Sequence, residues 1–322
     1  MATTRQAFPA AARAGLVMLG GVDIHAETAT GRVRGHHWAA SDPGRSARRP
    51  AVVICPGFTE FCEKYAAVAA RLTKLDHDVL TIDWPGQGRS GHLGKLPLSV
   101  HIEDFEDHLV AADKLMIVAG LSSRPVVFLG HSMGGHLALR LLARHRGQAR
   151  GAIILSPMIA PPVMPVWGVR LLAWAIVTAG FGRRPALGRR PTDLSRDRVF
   201  HDRNGLTRAR KGYEDQFVWF DDAPELRRSG PTAGWVRAAY ESCVATTLNA
   251  GWMRQLEVPV LALTAGDERI VHQPSTNRML PFLPYCQHVG FDGARHELLF
   301  ETEDVRDEVW RHINGFLAGL KP

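Results

Sequence analysis

The stretch Pro125 to Arg144, PVVFLGHSMGGHLALRLLAR, constrains the fold of this chain more than any other. Val126 to Leu129 form an uninterrupted apolar run, the pattern of a strand buried on both faces of a parallel sheet. Beyond Gly130-His131-Ser132-Met133-Gly134, Leu137, Leu141 and Leu142 recur at helical spacing, with Ala138, Leu139 and Ala143 filling between them. A strand that passes into a helix through so tight a turn needs glycine where side chains would collide. The turn leaves the Ser132 hydroxyl at a helix N-terminus, where partial positive charge favours an oxyanion. Alone, Gly-x-Ser-x-Gly is a weak string whose bland reading is a glycine-rich turn. Set between strand and helix it predicts a nucleophile elbow, which demands a base and an acid downstream.

The rest of the chain supplies the rhythm of a parallel α/β sheet. Residues 16 to 40 read as a hairpin turning at Thr30-Gly31, and Ala51 to Cys55 and Asp78 to Asp83 read as buried strands. Helical spacing covers Tyr65 to Leu75 and Ile102 to Ala119, and Gly151 to Ser156 is a further strand. From Met158 to Met253 no clear buried strand is found, and this segment reads as an inserted, mainly helical cap. The sheet resumes at Val258 to Leu263 and around His288-Val289, and a helix over Val305 to Leu317 closes the chain. The expected organisation is therefore a first core part over 1–157, a cap over 158–253 and a second core part over 254–322.

With 45% hydrophobic and 22% charged residues the chain can bury a substantial core, and disorder is not its default. Its net charge of +7 has one address: between Arg183 and Lys211 ten basic residues face three acidic ones. Such a segment suits phosphate head groups or an anionic membrane, or it is a solvated face; both readings stand. No groove-reading motif or basic-aromatic platform accompanies it, so no nucleic-acid partner is expected. Four cysteines without metal-ligand spacing read as free thiols in a reducing compartment. The apolar stretch Ala14 to Leu19 is too short and lacks a cleavage pattern for a signal peptide. Val166 to Val177, interrupted by Arg170, falls short of the ~20 apolar residues that span a membrane. It suits an interfacial helix, a wall of a greasy tunnel, or ordinary burial against the sheet.

The base and the acid should lie on loops after later strands, in the order serine, carboxylate, histidine. His296, in Gly293-Ala294-Arg295-His296-Glu297, is the candidate base, whereas His131 reads as packed in the elbow and His136, His145 and His312 as helical surface residues. For the acid, Asp267 and Glu268 compete. The spacing Gly-x-acid-x-x-Val, which Gly266, Glu268 and Val271 satisfy, favours Glu268, and Asp267 stays open as the alternative. The oxyanion hole is expected from the backbone N–H groups of Met133 and Phe58. No metal or cofactor is called for.

ICPGFTEFCEKY (54–65), DVLTIDWPGQGRSG (78–91), GHSMGG (130–135), GDERIV (266–271) and ARHELLFE (294–301) together resemble the bacterial lysophospholipase L2 group of the α/β-hydrolases, in their monoacylglycerol lipase-like branch. The resemblance covers the sheet domain at both ends and leaves the cap unmatched. Pro56-Gly57 stands where many lipases of the wider branch carry His-Gly, a feature shared with the lysophospholipase-like members. It implies an α/β-hydrolase fold and a Ser132, Glu268, His296 triad. It also implies an esterase that releases fatty acid from a lysophospholipid or monoacylglycerol. The free thiols and the lack of a signal peptide make the cytoplasm the expected location, with peripheral contact at the inner membrane as the companion expectation. A broad carboxylesterase acting on short soluble esters, and a binding protein of the same fold that has lost turnover, are the competing expectations. Oligomeric state is not legible.

Overall fold

A computed structural model of the 322-residue chain describes residues 9–16, 18, 20–187 and 197–320. Ten strands are found among them: β1 (Val22–Thr28), β2 (Gly31–Trp38), β3 (Ala51–Cys55), β4 (Val79–Asp83), β5 (Ser99–Val100), β6 (Val126–His131), β7 (Ala149–Leu155), β8 (Gly230–Pro231), β9 (Val260–Ala265) and β10 (Cys286–Phe291). Eight of these form one sheet in the order β1-β2-β4-β3-β6-β7-β9-β10. At one edge β1 pairs with β2 and β2 with β4 antiparallel, and the remaining pairings in this sheet are parallel. This is the mostly parallel α/β sheet that the strand and helix rhythm predicts, in the α/β-hydrolase arrangement that the resemblance implies.

Alternation along the central strands builds two apolar layers at once. Val53 of β3 and Val126 and Phe128 of β6 face one layer, with Leu109 and Leu115 of the helix Glu106–Val118 and Leu137 and Leu141 of the elbow helix Met133–Arg144. Val52 and Ile54 of β3 and Val127 and Leu129 of β6 face the other, with Val68 and Leu72 of the helix Ala66–Lys74 and Val309 and Ile313 of the helix Glu303–Gly319. Because the sheet is covered on both sides, its function must sit at an end. The loops after β3, β6, β9 and β10 all leave the carboxyl end of parallel strands, where such folds bind ligands.

Between β7 and β9 the described residues add no strand to this sheet. It forms the helices Val166–Ile176, Arg210–Asp222, Ala233–Ala245 and Ala250–Arg254, and the two-residue strand β8 pairs in parallel with β5. That pairing corrects the expected helix over Ile102 to Ala119, which starts only at Glu106. The Asp104 carboxylate accepts the Glu106 N–H at 2.8 Å and so marks the helix start, while His101 is held outside it by Thr232 Oγ1 at 2.8 Å.

A second correction concerns His136, expected on the surface but fully buried. The inserted segment covers the outer face of the elbow helix, and Ser242 Oγ and Thr247 Oγ1 meet the two ring nitrogens at 2.6 and 3.2 Å. His145 and His312 are half-buried. Of the basic segment, Arg189, Arg190 and Arg196 lie outside the described residues. Arg198, Arg208, Arg210 and Lys211 pair with Asp221, Glu301, Glu214 and Asp215, which neutralises much of what the bare sequence presents as a patch. The four cysteines are free thiols, and no described helix is long and apolar enough to cross a membrane.

Candidate active site

Ser132 sits between β6 and the elbow helix at φ 56°, ψ −120°, a left-handed conformation that costs a serine of order 1–3 kcal/mol and persists only where its surroundings impose it. Those surroundings are visible. Its N–H donates to the Leu155 carbonyl at 2.9 Å, and its own carbonyl accepts the N–H groups of Gly135 and Met158 at 2.9 Å each. A Cβ on Gly130 would lie 2.2 Å from the Gly134 oxygen, and one on Gly134 would lie 1.8 Å from the Cys55 oxygen, so both positions require glycine. Although Ser132 occupies the N-cap position, its side chain makes no capping hydrogen bond, and the hydroxyl is left to other partners.

The loop after β10 carries His296 and the loop after β9 carries Glu268. The two Glu268 oxygens stand 2.9 and 2.8 Å from His296 Nδ1, and Glu268 Oε1 also accepts the N–H groups of Ile270 at 2.7 Å and Val271 at 3.2 Å. Burial pushes the Glu268 pKa up, but the imidazole and the two N–H donors outweigh it and hold the carboxyl below its ordinary value. Asp267, the rival by sequence, turns away to Arg269 at 2.7 Å and Arg295 at 3.5 Å. A carboxylate on Nδ1 fixes that nitrogen as the donor and leaves Nε2 as the basic one.

Ser132, Met133, Phe58 and His296 line a single cavity of about 1170 Å³. Its far walls are apolar, with Val169, Leu172 and Ile176 from one inserted helix and Trp235 and Val236 from another. Phe58 stacks its ring on Trp235 with centroids 4.6 Å apart. Around it the backbone is arranged so that one donor stays open. The Gly57 N–H goes to Glu60 Oε2, the Thr59 N–H goes to Gln87 Oε1, and Trp84 Nε1 holds the Pro56 carbonyl at 2.8 Å. The Phe58 N–H between them has no acceptor among the described residues. Met133 begins the elbow helix, where N–H groups lack intrahelical partners.

Three buried ionisable residues escaped the sequence reading of this site: Glu60, Lys64 and Glu297. The signal available was the placement of Glu60 and Lys64 in FTEFCEKY, charged residues tucked between apolar ones immediately after a buried strand, together with a second acid beside His296.

The sequence model of the Hydrolase_4 family, described as serine aminopeptidase, S33, matches residues 46–303. Lysophospholipase L2 of Escherichia coli (strain K12) is 34% identical over 276 residues, covering 82% of this chain and 79% of that protein. The probable lysophospholipase L2 of Haemophilus influenzae is 25% identical over 278 residues, with 84% and 85% covered. Among solved structures, a soluble variant of monoglyceride lipase from Saccharomyces cerevisiae superposes with a TM-score of 0.71 over 94% of this chain and 97% of that one, at 15% identity. That level of identity speaks to the fold alone.

Proposed function

From the premise that this chain belongs to the Hydrolase_4 family, we propose that it is a serine ester hydrolase that releases a fatty acid from a lysophospholipid or monoacylglycerol. Ser132 Oγ attacks the acyl carbonyl as His296 Nε2 takes its proton, and Glu268 stabilises the imidazolium that forms. The N–H groups of Phe58 and Met133 receive the oxyanion, each donor of this kind being worth ~3 kcal/mol in the transition state. Collapse expels the alcohol, which regains the proton from His296. Water, activated by the same imidazole, then attacks the acyl-enzyme and frees the acid. This route draws on no metal or cofactor.

The observation that carries the reading is the joining, in one largely apolar cavity, of an elbow serine and a histidine paired to a buried carboxylate. The family's description names a peptidase, but an apolar enclosure of this size suits an acyl chain better than a peptide, whose backbone would need polar partners along its length. The names of the relatives point the same way. Residues 158–253 then act as a cap over a core formed by 1–157 and 254–322. Labelling by a fluorophosphonate probe, lost in Ser132→Ala, together with turnover of long-chain lysophosphatidylcholine or monoacylglycerol, is the expected outcome. Turnover of short soluble esters alone would instead make this a general carboxylesterase, and absence of labelling in folded protein would make it a binding protein.

A second element of the reading is peripheral docking on an anionic membrane through the helix Val166–Ile176. Val169, Leu172 and Ile176 line the cavity, while Trp167, Leu171 and Trp174 are each more than half exposed, with Arg170 among them. A helix apolar on both its inner and outer faces is at odds with water on either side. Lipid against the outer face would resolve that and bring the cavity to its substrate. Trp167→Glu with Leu171→Glu is expected to abolish sedimentation with phosphatidylglycerol-containing liposomes at low salt while sparing hydrolysis of a short soluble ester. Equal sedimentation of wild type and variant would remove this element.

A further inference from the structure

His131, the residue before Ser132, lies between two hydrogen-bond acceptors and no donor-only partner. Its Nδ1 is 3.1 and 3.2 Å from the Glu60 carboxylate oxygens, and its Nε2 is 3.2 Å from the His296 carbonyl oxygen. A neutral imidazole carries one N–H and can satisfy one of these; only the imidazolium satisfies both. The surroundings balance that charge. Glu60 also accepts Lys64 Nζ at 2.8 Å and the Tyr65 hydroxyl at 2.6 Å, and Lys64 reaches Glu297 at 2.6 Å. With His131 charged, two buried cations meet two buried carboxylates; with His131 neutral, the cluster retains an uncompensated negative charge away from water.

This cluster touches three of the loops that the proposed chemistry uses, those carrying Phe58, Ser132 and His296. Glu60 accepts the Gly57 N–H and thereby orients the peptide that precedes Phe58 N–H. His131 is bonded in sequence to Ser132 and through Nε2 to the backbone of His296. We propose that His131 is a positioning residue that works as an imidazolium, clamping the oxyanion loop, through Glu60, against the loop that carries the base. The inference rests on the ester-hydrolase reading for its catalytic consequence, but its charge state can be tested independently.

The groups facing His131 from the elements packed around it are Glu60, Lys64 and Tyr65 on one side and His296 and Glu297 on the other. Burial pulls its pKa down, and the charge and hydrogen bond of Glu60, with the charge of Glu297, raise it above the ordinary value despite Lys64. Lys64 and Tyr65 are themselves raised, so His131 is the member of the cluster that gives up its proton first as pH rises. On losing it the ring must release either Glu60 or the His296 carbonyl, and the oxyanion loop slackens relative to the base.

Two-bond proton–nitrogen spectra of the histidine rings at pH 7.5, with the His131 signals assigned by their loss in His131→Gln, should show both of its nitrogens protonated. A neutral tautomer there overturns the proposal. In hydrolysis of a p-nitrophenyl ester, wild-type kcat should fall at alkaline pH with KM little changed. His131→Gln should show kcat lowered by about tenfold or more, KM within about twofold, and no alkaline decline. A His131→Gln variant that melts normally yet keeps the wild-type alkaline decline also overturns it. Should that variant not fold, Glu60→Gln replaces it: removing the anion must shift the decline to lower pH, and an unmoved decline counts against the clamp. If wild type hydrolyses no ester, the functional reading fails, and the spectra still decide the charge state.

Discussion

The Glu268 carboxylate straddles His296 Nδ1 at 2.9 and 2.8 Å, while its sequence neighbour Asp267 is turned by Arg269 to the opposite side of the loop. Adjacent side chains on an irregular loop diverge, so one residue of register decides which carboxylate meets the imidazole. Glu268→Gln is therefore expected to lower kcat by ~10³–10⁴, the scale on which triad acids act, and Asp267→Asn to change it less than about threefold. Steady-state kinetics on one soluble ester checks both, and the reverse ranking would reassign the acid.

Acid should not disable Glu268 first. With its pKa held below the ordinary 4.5, its ionised form contributes stability that is complete above pH 4.5 and is lost only as pH falls through the lower folded value. Glu268 therefore stays ionised between pH 7 and 5, and a loss of kcat/KM over that interval does not come from its protonation. A carboxylate NMR titration, with the Glu268 signal assigned by its loss in Glu268→Gln, should give a midpoint below 4.5, and a midpoint above it would contradict the assignment.

At the elbow, Gly134→Ala places a methyl group 1.8 Å from the Cys55 carbonyl oxygen, so β3 and the elbow helix must separate. Displacement of about an ångström at a reacting group costs on the order of 10²-fold, and the variant should lose at least that much in kcat while binding of substrate suffers less. Wild-type kinetics in a soluble Gly134→Ala protein would contradict the packing argument.

His108 is buried against Trp84 and Phe105, with neither ring nitrogen hydrogen-bonded among the described residues. Burial, with Arg140 adding to it, lowers its pKa to about 3. The unfolded chain takes up this proton near pH 6.5 and the folded chain does not, so stability declines as pH falls from 6.5 toward 3. At pH 5 the contribution is about 2 kcal/mol. His108→Phe should be nearly neutral at pH 8 and should gain about that amount relative to wild type at pH 5, measured by urea unfolding.

Arg34 is buried among Asp23, Glu63 and Asp83 at 3.0, 2.9 and 2.9 Å. Arg34→Met removes the guanidinium between two buried carboxylates, leaving Glu63 with Arg89 at 3.3 Å and Asp83 with the N–H groups of Cys62 and Arg89, and a destabilisation of about 3 kcal/mol is expected from urea denaturation. Joint replacement with Glu63→Gln should recover part of it. Additive losses in the double variant would mean that the pair is not coupled.

Much of the framework is local chemistry and could be read directly. The apolar runs of β3, β4, β6 and β9 and the glycines at 130 and 134 carry their meaning in their immediate neighbours, because burial on two faces and a tight turn each restrict residue type at fixed spacing. His136 was misread because periodicity describes one helix and not what packs over it. The start of the helix at Glu106 was misplaced because β5 is created only by β8, more than a hundred residues away.

A parallel sheet, an elbow with a serine at its apex, and the loops from which a histidine and a carboxylate could come are legible along the chain, because they follow from propensities and steric limits that act within a few residues. The assembled fold adds what lies across space. It aimed Glu268 rather than Asp267 at His296, left the Phe58 N–H open between two occupied neighbours, and gathered Glu60, Lys64, His131 and Glu297 into one buried cluster. Hydrogen bonds and charge pairs depend on distances between residues remote in the chain, and those distances come into being when the sheet assembles.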